Sequence, residues 1–506
     1  MKKFKFFSVI IAVAIIAICG CSNDSEEENV SPVELSEYNA SKILGSGYRD
    51  KESIEIPANI TSISSNVFSY RTLVPYAGAG RWIVKSSNIK KITFEKGSRL
   101  CDIKKDAFRN CILESIELPE GLEKIHDSAF INSSLKKLKI PKSVTYIGEE
   151  AFNACSLEEL EIQENVTYIG KRAFQYCSKL KKLTLPASIK DATVEINSFY
   201  IFDWDKQNVI DEIRYKGTIE DWCKITWFKS AATWLVNKLY FEDSDTPATS
   251  IEIPSTVTSI SPEAFYCYYG LISVTLPDND IIIGENAFCA CRNLSNIRFG
   301  SGNTQIGEGA FGDCDNLSNI EFGSGSTQIE EEAFRGCDKL ESIKLPNGTI
   351  GENAFGNCEN LKSIEIDNGL IEDSVFHNGY NNLSYNDFSN LESVIIASGT
   401  IGSGTFSECK NLKYVKLGNG VTSIGDSAFS GCSSILEIVI PNSVTSIGSN
   451  AFSNCTSLKR AIFEVKNQYW QQFSNDGSID EVRCNFNNEE ETAKWLRRGN
   501  EKLERL

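Results

Sequence analysis

The chain has 506 residues and a formal net charge of −17, with 51 lysines and arginines against 68 aspartates and glutamates. It holds 17 cysteines but only two histidines, His126 and His377, which argues against histidine-dependent catalysis and multi-histidine zinc centres. Because the chain is acidic and has no stripe rich in lysine and arginine, nucleic acid and anionic membrane surfaces are poor partners. Composition therefore favours a protein that is not an enzyme and needs no cofactor or metal.

The N-terminus has the pattern of an export signal. Three lysines fall within Met1–Lys5, and the apolar run Phe6–Ile18 covers 13 residues, whereas a membrane span needs about 20. The run ends in Ile-Cys-Gly-Cys, which resembles the lipobox of bacterial lipoproteins. That resemblance implies that residues 1–20 are a lipoprotein signal peptide and that Cys21 carries the acyl chains. An ordinary signal peptide without lipidation is the alternative.

Residues 21–40 are predicted to be a flexible acidic tether. The stretch Ser22–Asn29 is polar and acidic and cannot bury enough apolar surface to fold. An acidic stretch after the lipidated cysteine also resembles the surface-export signal of Bacteroidetes lipoproteins. This resemblance implies a lipid anchor in the outer membrane and display on the cell surface, with contact to the membrane through the lipid only. A solvated linker that faces the periplasm is the alternative.

A repeat of about 22 residues fills most of the remaining chain. Each of 14 phenylalanines has isoleucine five positions earlier, and 11 of them directly follow alanine. Eight have glycine four positions earlier, where it is expected to permit a tight turn. A Leu-x-x-Ile-x-apolar segment commonly follows the phenylalanine, as in Leu317, Ile320 and Phe322. These anchor phenylalanines are Phe68, Phe108, Phe130, Phe152, Phe174, Phe265, Phe288, Phe311, Phe334, Phe355, Phe376, Phe406, Phe429 and Phe452.

The spacing predicts two very short strands and one helical or 3-10 turn in each repeat. One such coil cannot bury its apolar face alone, so the repeats must stack into a solenoid. We expect about 15 coils, divided between N-terminal repeats over residues 41–193 and C-terminal repeats over residues 245–486. Residues 487–506 begin with acidic and end with basic residues, which is typical of a short helix, and we predict a helical C-terminal cap there.

The repeat resembles a known family. The segments "SVTSIGSNAFSNCTSLKRAIF" and "GVTSIGDSAFSGCSSILEIVIP" resemble the BspA-like class of bacterial leucine-rich repeats, and the resemblance covers about residues 53–486. It implies a mainly β repeat solenoid with short strands and short helical or 3-10 turns. It also implies a surface lipoprotein of bacterial attachment, although fold resemblance alone does not establish function.

Residues 194–244 interrupt the period with an aromatic-rich variant repeat that holds four of the seven tryptophans. Trp222 recurs at a motif position of such inserts and is expected to fill the insert's own core. Trp204, Trp227 and Trp234 are the binding candidates, because aromatic rings can stack on sugars or anchor a protein interface. Shorter insertions begin at Tyr70 and at His377, where we expect loops.

Ten anchor phenylalanines have cysteine three positions later, so the stacked coils should carry a ladder of cysteines. Ser133 takes the same place in one coil, as expected for a small buried filler. We therefore predict buried free thiols rather than disulfides. Cys289-x-Cys291 lacks the spacing of a zinc site. His126 occupies the glycine position of its repeat and is interpreted as a solvated substitution.

Three functions remain to be compared. The first is non-catalytic binding or adhesion to host or bacterial proteins, since solenoids offer long rigid surfaces. The second is a glycan-binding accessory lipoprotein that uses the insert tryptophans, which requires that Trp204, Trp227 and Trp234 are exposed. The third is a glycosidase, which would need two carboxylates facing each other across about 5 to 10 Å. No local pattern singles out such a pair.

Overall fold

The structure is a computed structural model, and it describes nine parts of the chain. These are residues 31–76, 79–200, 209–231, 235–345, 347–376, 390–463, 481–484, 495–496 and 504–505. They form a parallel β-solenoid of about 17 turns with very little helix. The predicted repeat solenoid is confirmed, with two turns more than the expected 15.

Most strands on one side of the solenoid, here called the first face, end five positions before an anchor phenylalanine. Val33–Leu35 also joins this face, so the predicted flexible tether 21–40 is wrong from residue 33 onward, where the chain is already part of the solenoid. Each strand pairs in parallel with its counterpart in the next coil. The N-terminal series is Val33–Leu35, Ile60–Ile63, Asp102–Ile103, Lys124–Ile125, Tyr146–Ile147, Tyr168–Ile169 and Thr193–Val194. The C-terminal series is Ser259–Ile260, Ile281–Ile283, Thr304–Ile306, Thr327–Ile329, Gly348–Ile350, Gly369–Ile371, Ser393–Ile401, Tyr414–Ile424 and Ser446–Ile447.

Strands with the Leu-x-x-Ile pattern form the second face, and the long strands Ser393–Ile401 and Tyr414–Ile424 run through both faces. The N-terminal part of the second face contains Ser53–Ile56, Lys91–Phe94, Ser115–Ile116, Lys137–Ile140, Glu159–Ile162, Lys182–Leu185, Glu212–Tyr215 and Leu239–Phe241. The C-terminal part contains Ser250–Glu252, Ser273–Thr275, Asn296–Arg298, Asn319–Glu321, Ser342–Leu345, Ser363–Ile366, Glu437–Ile440, Arg460–Phe463 and Glu481–Cys484.

Several elements lie outside the two faces. The short helices are Ala40–Leu44, Ile219–Cys223 and Phe228–Ala231, and the 3-10 turns are Tyr48–Asp50 and Ala187–Asp191. Val209–Ile210 pairs with Leu235–Val236. The insertion at Tyr70, expected to be a loop, is an antiparallel hairpin of Ser69–Tyr76 and Ala79–Ser86. Of the predicted helical cap, the structure describes only Trp495–Leu496 and Glu504–Arg505, and these are two-residue antiparallel strands rather than helix.

The anchor phenylalanines form the core as a continuous stack of rings within each half of the solenoid. All are buried, and neighbouring rings lie nearly parallel with centroids from 4.7 Å, for Phe68 and Phe108, to 5.7 Å, for Phe355 and Phe376. This spacing matches the distance of about 4.8 Å between paired strands. Backbone pairing and ring stacking therefore have the same period and stabilise the same register.

One ladder member was not predicted. Phe199 stacks on Phe174 with a centroid distance of 5.2 Å, and Thr193–Val194 pairs with the strand before it. Its coil has Val194 in place of the anchor isoleucine and Ser198 in place of alanine, which hid it from the pattern. The regular solenoid thus continues into residues 194–199, which the sequence had assigned to the insert.

The repeated glycine has a different role from the one expected. A Cβ atom on Gly148 would lie 2.5 Å from the backbone nitrogen of Asp127 in the preceding coil. The left-handed conformation falls two residues later, at Glu150 with φ 54°. Glycine at this position is therefore required by the close approach of two coils, while the left-handed turn residue is a non-glycine residue in most coils.

The cysteine ladder is buried and free, as predicted. Nine ladder thiols donate to the carbonyl oxygen of the anchor phenylalanine in the preceding coil, as Cys155 does to Phe130 at 3.1 Å and Cys291 to Phe265 at 3.1 Å. In the coil where serine replaces the ladder cysteine, the Ser133 hydroxyl lies 3.2 Å from the Cys155 sulfur. Cysteine is thus a small apolar filler that also satisfies a buried carbonyl.

Candidate interaction surfaces

The insert tryptophans do not form an open aromatic surface. Trp227 is only 5% exposed, stacks on Phe199 with a centroid distance of 5.8 Å, and donates to the Ile189 carbonyl at 3.2 Å. This corrects the prediction of Trp227 as a binding residue, because its ring fills the core where the insert meets the N-terminal coils. Trp204 and Trp234 lie outside the described residues, so their predicted role stays a prediction.

Trp222 links the insert to the C-terminal coils, in line with the expectation that it belongs to a core. It is 2% exposed, and its indole N–H donates to the Ala264 carbonyl at 2.7 Å. Its helix, Ile219–Cys223, is capped by Thr218, whose side chain forms a capping box with Asp221. The two buried tryptophans thus join the insert to the coils on either side.

We expect Trp222→Phe to lower the free energy of unfolding by about 1 to 3 kcal/mol, because a buried carbonyl loses its donor while much of the ring volume is kept. Urea unfolding measures the change. Tyr38→Phe serves as the control, since Tyr38 is fully exposed and its change should be neutral. Equal stabilities for all three proteins would show that the indole bond does not contribute.

The N-terminal part of the first face carries a row of polar and aromatic side chains. Asp102 accepts from Lys104 at 2.8 Å and lies 2.9 Å from Nε2 of His126. The His126 ring centroid lies 5.9 Å from that of Tyr146, and Tyr146 stacks on Tyr168 at 5.0 Å with an interplanar angle of 7°. His126 is therefore part of an ordered row and is not merely a solvated substitution.

This row presents a charged carboxylate and the edges of two tyrosine rings. Partial burial raises the pKa of Asp102, but hydrogen bonds from Lys104 and His126 outweigh it and hold the pKa below its ordinary value. The carboxylate is therefore charged at neutral pH. Because Tyr146 and Tyr168 stack on each other, the faces between them are covered, and the row offers ring edges and hydroxyls to a ligand.

The C-terminal part of the first face presents one outward side chain per coil over nine coils. The strand registers align these positions, and none of them is charged. Ile282 and Leu370 are unusually exposed for large apolar residues, with relative exposures of 51% and 48%. The row consists of Ser259, Ile282, Gln305, Gln328, Thr349, Leu370, Thr400, Ser423 and Ser446.

The turns beside this row are acidic. In the nine segments that run from the first-face strand to the anchor phenylalanine there are ten acidic residues and no lysine, arginine or histidine. We call this surface the acidic face: residues 258–265, 281–288, 304–311, 327–334, 348–355, 369–376, 399–406, 422–429 and 445–452. Burial, and then the carboxylates of Glu308 and Glu352, raise the pKa of Glu331, so the acids of neighbouring coils repel one another.

The second face of the same coils has the opposite character. Its charges are of both signs, and opposite charges pair between neighbouring coils. Lys344 contacts Glu365 at 3.0 Å, and Lys362 contacts Glu341 at 3.0 Å. The single sign of the acidic face is therefore a property of one side of the solenoid and not of the acidic chain as a whole.

Other candidate positions give no site in the described part of the chain. Cys21 and His377 lie outside it. Within the described residues, no helix is long and apolar enough to cross a membrane, and no group of three histidine, cysteine or acidic side chains is placed to hold a metal ion.

Sequence reasoning missed both first-face surfaces. For the tyrosines a signal was available, because "VTYIG" occurs twice with a spacing of 22 residues and places tyrosine where other repeats have serine. The acidic face gives no compact motif. Its carboxylates are scattered from Glu263 to Asp426 and come together only when the strand segments are aligned coil by coil.

The repeated architecture is matched by a family model. The model for the BspA-type leucine-rich repeat region matches six copies, over residues 80–210, 258–384 and 380–492. The chain belongs to the BspA-type leucine-rich-repeat family. Leucine-rich-repeat folds generally mediate protein interactions, and this family is typically a non-catalytic scaffold. Comparison with curated proteins finds no match.

Solved structures of bacterial leucine-rich-repeat proteins are similar to this BspA-type chain at low sequence identity. A protein from Bacteroides ovatus is 19% identical, with 86% of this chain and 95% of that one covered and a TM-score of 0.34. A leucine-rich cell surface protein from Faecalibacterium prausnitzii is 19% identical, with 72% and 84% covered and a TM-score of 0.26. The pneumococcal vaccine antigen PcpA is 18% identical, with 90% and 87% covered and a TM-score of 0.35.

Proposed function

We propose that the chain is a lipid-anchored protein of the outer membrane, displayed on the cell surface, that binds host or bacterial proteins without catalysis. The single observation that carries the binding role is the first face between Ser259 and Ser446, where nine coils present outward side chains in register. At about 4.8 Å per coil this face is roughly 40 Å long, which suffices for a standard protein interface of about 800 Å² per partner.

The physical form of this face supports a protein ligand. Its strands pair in parallel with those of the neighbouring coils, and the ring stack beneath them is buried. A partner would therefore dock on a surface that needs little reordering, which lowers the entropic cost of association. The proposed anchor follows from the N-terminal pattern that ends at Cys21.

The anchor gives a direct prediction. Cys21→Ser should release the protein from the membrane fraction, because the acyl chains that hold it can no longer be attached. Cys19→Ser is the matched control, since Cys19 lies two residues earlier within the proposed signal peptide and should leave anchoring intact. Incorporation of labelled fatty acid and membrane fractionation measure both variants. Equal membrane association of the two variants would contradict lipidation at Cys21.

Protease treatment of intact cells tests surface display. The full-length chain should disappear while a periplasmic marker protein survives. Survival of the chain until the cells are lysed would contradict display and would favour the periplasm-facing alternative.

A binding screen tests the ligand class. The mature chain should bind one or more proteins from a panel of host matrix and bacterial surface proteins. Binding only to glycans would overturn the proposal and favour the glycan-binding alternative. That alternative now depends on Trp204 and Trp234, since the buried Trp227 cannot stack on a sugar.

A further inference from the structure

We propose that the acidic face is the docking surface and that its occupant is a cationic segment of a protein partner, rich in lysine or arginine. This inference rests on the proposed protein-binding function and specifies the chemistry of the partner. It is carried by charge complementarity, by the uncharged row beside the acids, and by two buried acceptors that have no donor.

The charge of this face is almost uncompensated. Glu308, Glu331 and Glu352 are exposed in three successive coils and have no ion pair among the described residues. Of the ten acids of this face, two are ion-paired among the described residues, Glu285 with Lys229 of the insert and Glu332 with Arg335. Like charges in one row destabilise the free protein, and a cationic partner would remove that repulsion.

Two side-chain oxygen atoms at the same turn position of adjacent coils lack a hydrogen-bond donor. The Glu332 Oε1 atom and the Asn353 Oδ1 atom are buried, and neither has a hydrogen-bond partner among the described residues, although the other carboxylate oxygen of Glu332 lies 3.6 Å from Arg335. Asn353 as a whole is 5% exposed. Each directly follows an acid of the row, Glu331 or Glu352. A buried acceptor without a donor is costly, so a ligand that shifts these turns as it docks is favoured if it supplies N–H groups, as lysine and arginine do.

The layout suits a polypeptide better than a metal ion. The acids are spread one coil apart along the solenoid, and the described residues contain no group of three that could hold an ion. The uncharged row with Ile282 and Leu370 runs alongside them. A cationic segment can place its charges on the acids while the aliphatic stems of its lysines or arginines pack along this row.

The test compares two triple variants of the full mature chain. Glu308→Gln, Glu331→Gln and Glu352→Gln remove three acids from the acidic face. The control, Glu55→Gln, Glu117→Gln and Glu252→Gln, removes three exposed acids from the second face, which also have no ion pair among the described residues. Both variants change the net charge equally. Circular dichroism and thermal melting check that each remains folded.

The probe is a synthetic peptide of alternating lysine and serine, titrated at low and at physiological salt. The acidic-face variant should raise its dissociation constant about tenfold or more, since each exposed ion pair contributes modestly and three are lost. The control variant should change the dissociation constant less than about twofold, because it alters only the general electrostatic attraction between the acidic chain and the peptide. Equal effects of the two triple variants, or binding of calcium ions in place of the peptide, would overturn the inference.

The two proposals fail differently. If the screen of matrix and bacterial proteins yields a partner but neither that partner nor the peptide responds to the acidic-face variant, protein binding stands and the acidic docking site is wrong. If the screen yields no protein partner, the proposed function itself is wrong.

Discussion

Raising the pH from about 8 to about 10 is expected to destabilise the folded chain strongly, because the buried cysteine ladder must stay protonated in the folded state. Burial raises the pKa of Cys111 to about 12 and that of Cys155 to about 11, from an ordinary value of 9.0. Burial also raises the pKa of Cys291 and Cys314 well above that value. The unfolded chain has no such barrier to ionisation.

The sign follows from proton binding. Below about pH 8 both states hold almost all of the thiol protons, so the ladder's contribution to stability is nearly constant. As the pH rises above this value the unfolded state loses protons first, and the free energy of unfolding falls until the folded thiols titrate. Each thiol whose pKa lies near 12 should cost about 1.4 kcal/mol at about pH 10, and several such thiols act together.

The measurement is urea unfolding under reducing conditions at the two pH values. The double variant Cys291→Ala and Cys314→Ala should lose less stability than the wild type as the pH rises. The difference in the free energy of unfolding should be about twice the contribution of one such thiol. Lysines and tyrosines are the same in both proteins, so the difference isolates the cysteines. Identical pH dependence of the two proteins would contradict the account of the ladder.

Phe311→Ala is expected to lower the free energy of unfolding by about 3 to 5 kcal/mol, the usual cost of removing a fully buried ring. The Phe311 ring lies between Phe288, at 5.1 Å, and Phe334, at 5.3 Å, and is completely buried. Its loss opens a cavity between coils that contact only their neighbours, so the damage should be concentrated there.

Phe322→Ala is the matched control, because Phe322 is also an aromatic of a neighbouring coil but is only partly buried. The Phe322→Ala substitution should lower the free energy of unfolding by less than half as much as Phe311→Ala. Urea unfolding gives the global change, and limited proteolysis should cut the Phe311 variant first in the coils beside residue 311. Equal effects of the two substitutions would show that the ring stack has no special role.

The sequence predicted the repeated features of the fold well. Isoleucine, phenylalanine and cysteine at fixed spacing each occupy a buried ladder position, because a stacked coil offers the same environment to the same position in every repeat. Phe199 was missed where valine and serine replaced two of the consensus residues. The glycine position was recognised, but its cause, the approach of Gly148 to the preceding coil, depends on how coils stack.

The functional surfaces were harder to predict because they depend on register and chain path. In the sequence, Trp227 could be taken for an exposed aromatic residue because it lies in an insert outside the regular repeat. The path of the insert places its ring in the core. The carboxylates of Glu308, Glu331 and Glu352 are ordinary acids in the sequence, each within a slightly different turn. Only the alignment of coils places them on one side, beside a row without charge.

If the solenoid binds a cationic protein segment through the acidic face, the carboxylates of that face must contact lysines of the bound segment. Carbodiimide coupling, which joins a carboxylate to a lysine amine in direct contact, tests this contact on the complex with the lysine and serine peptide. Mass spectrometry should find the peptide attached to Glu308, Glu331 and Glu352. Attachment mainly to the second-face acids Glu321, Glu341 and Glu365 would contradict binding through the acidic face.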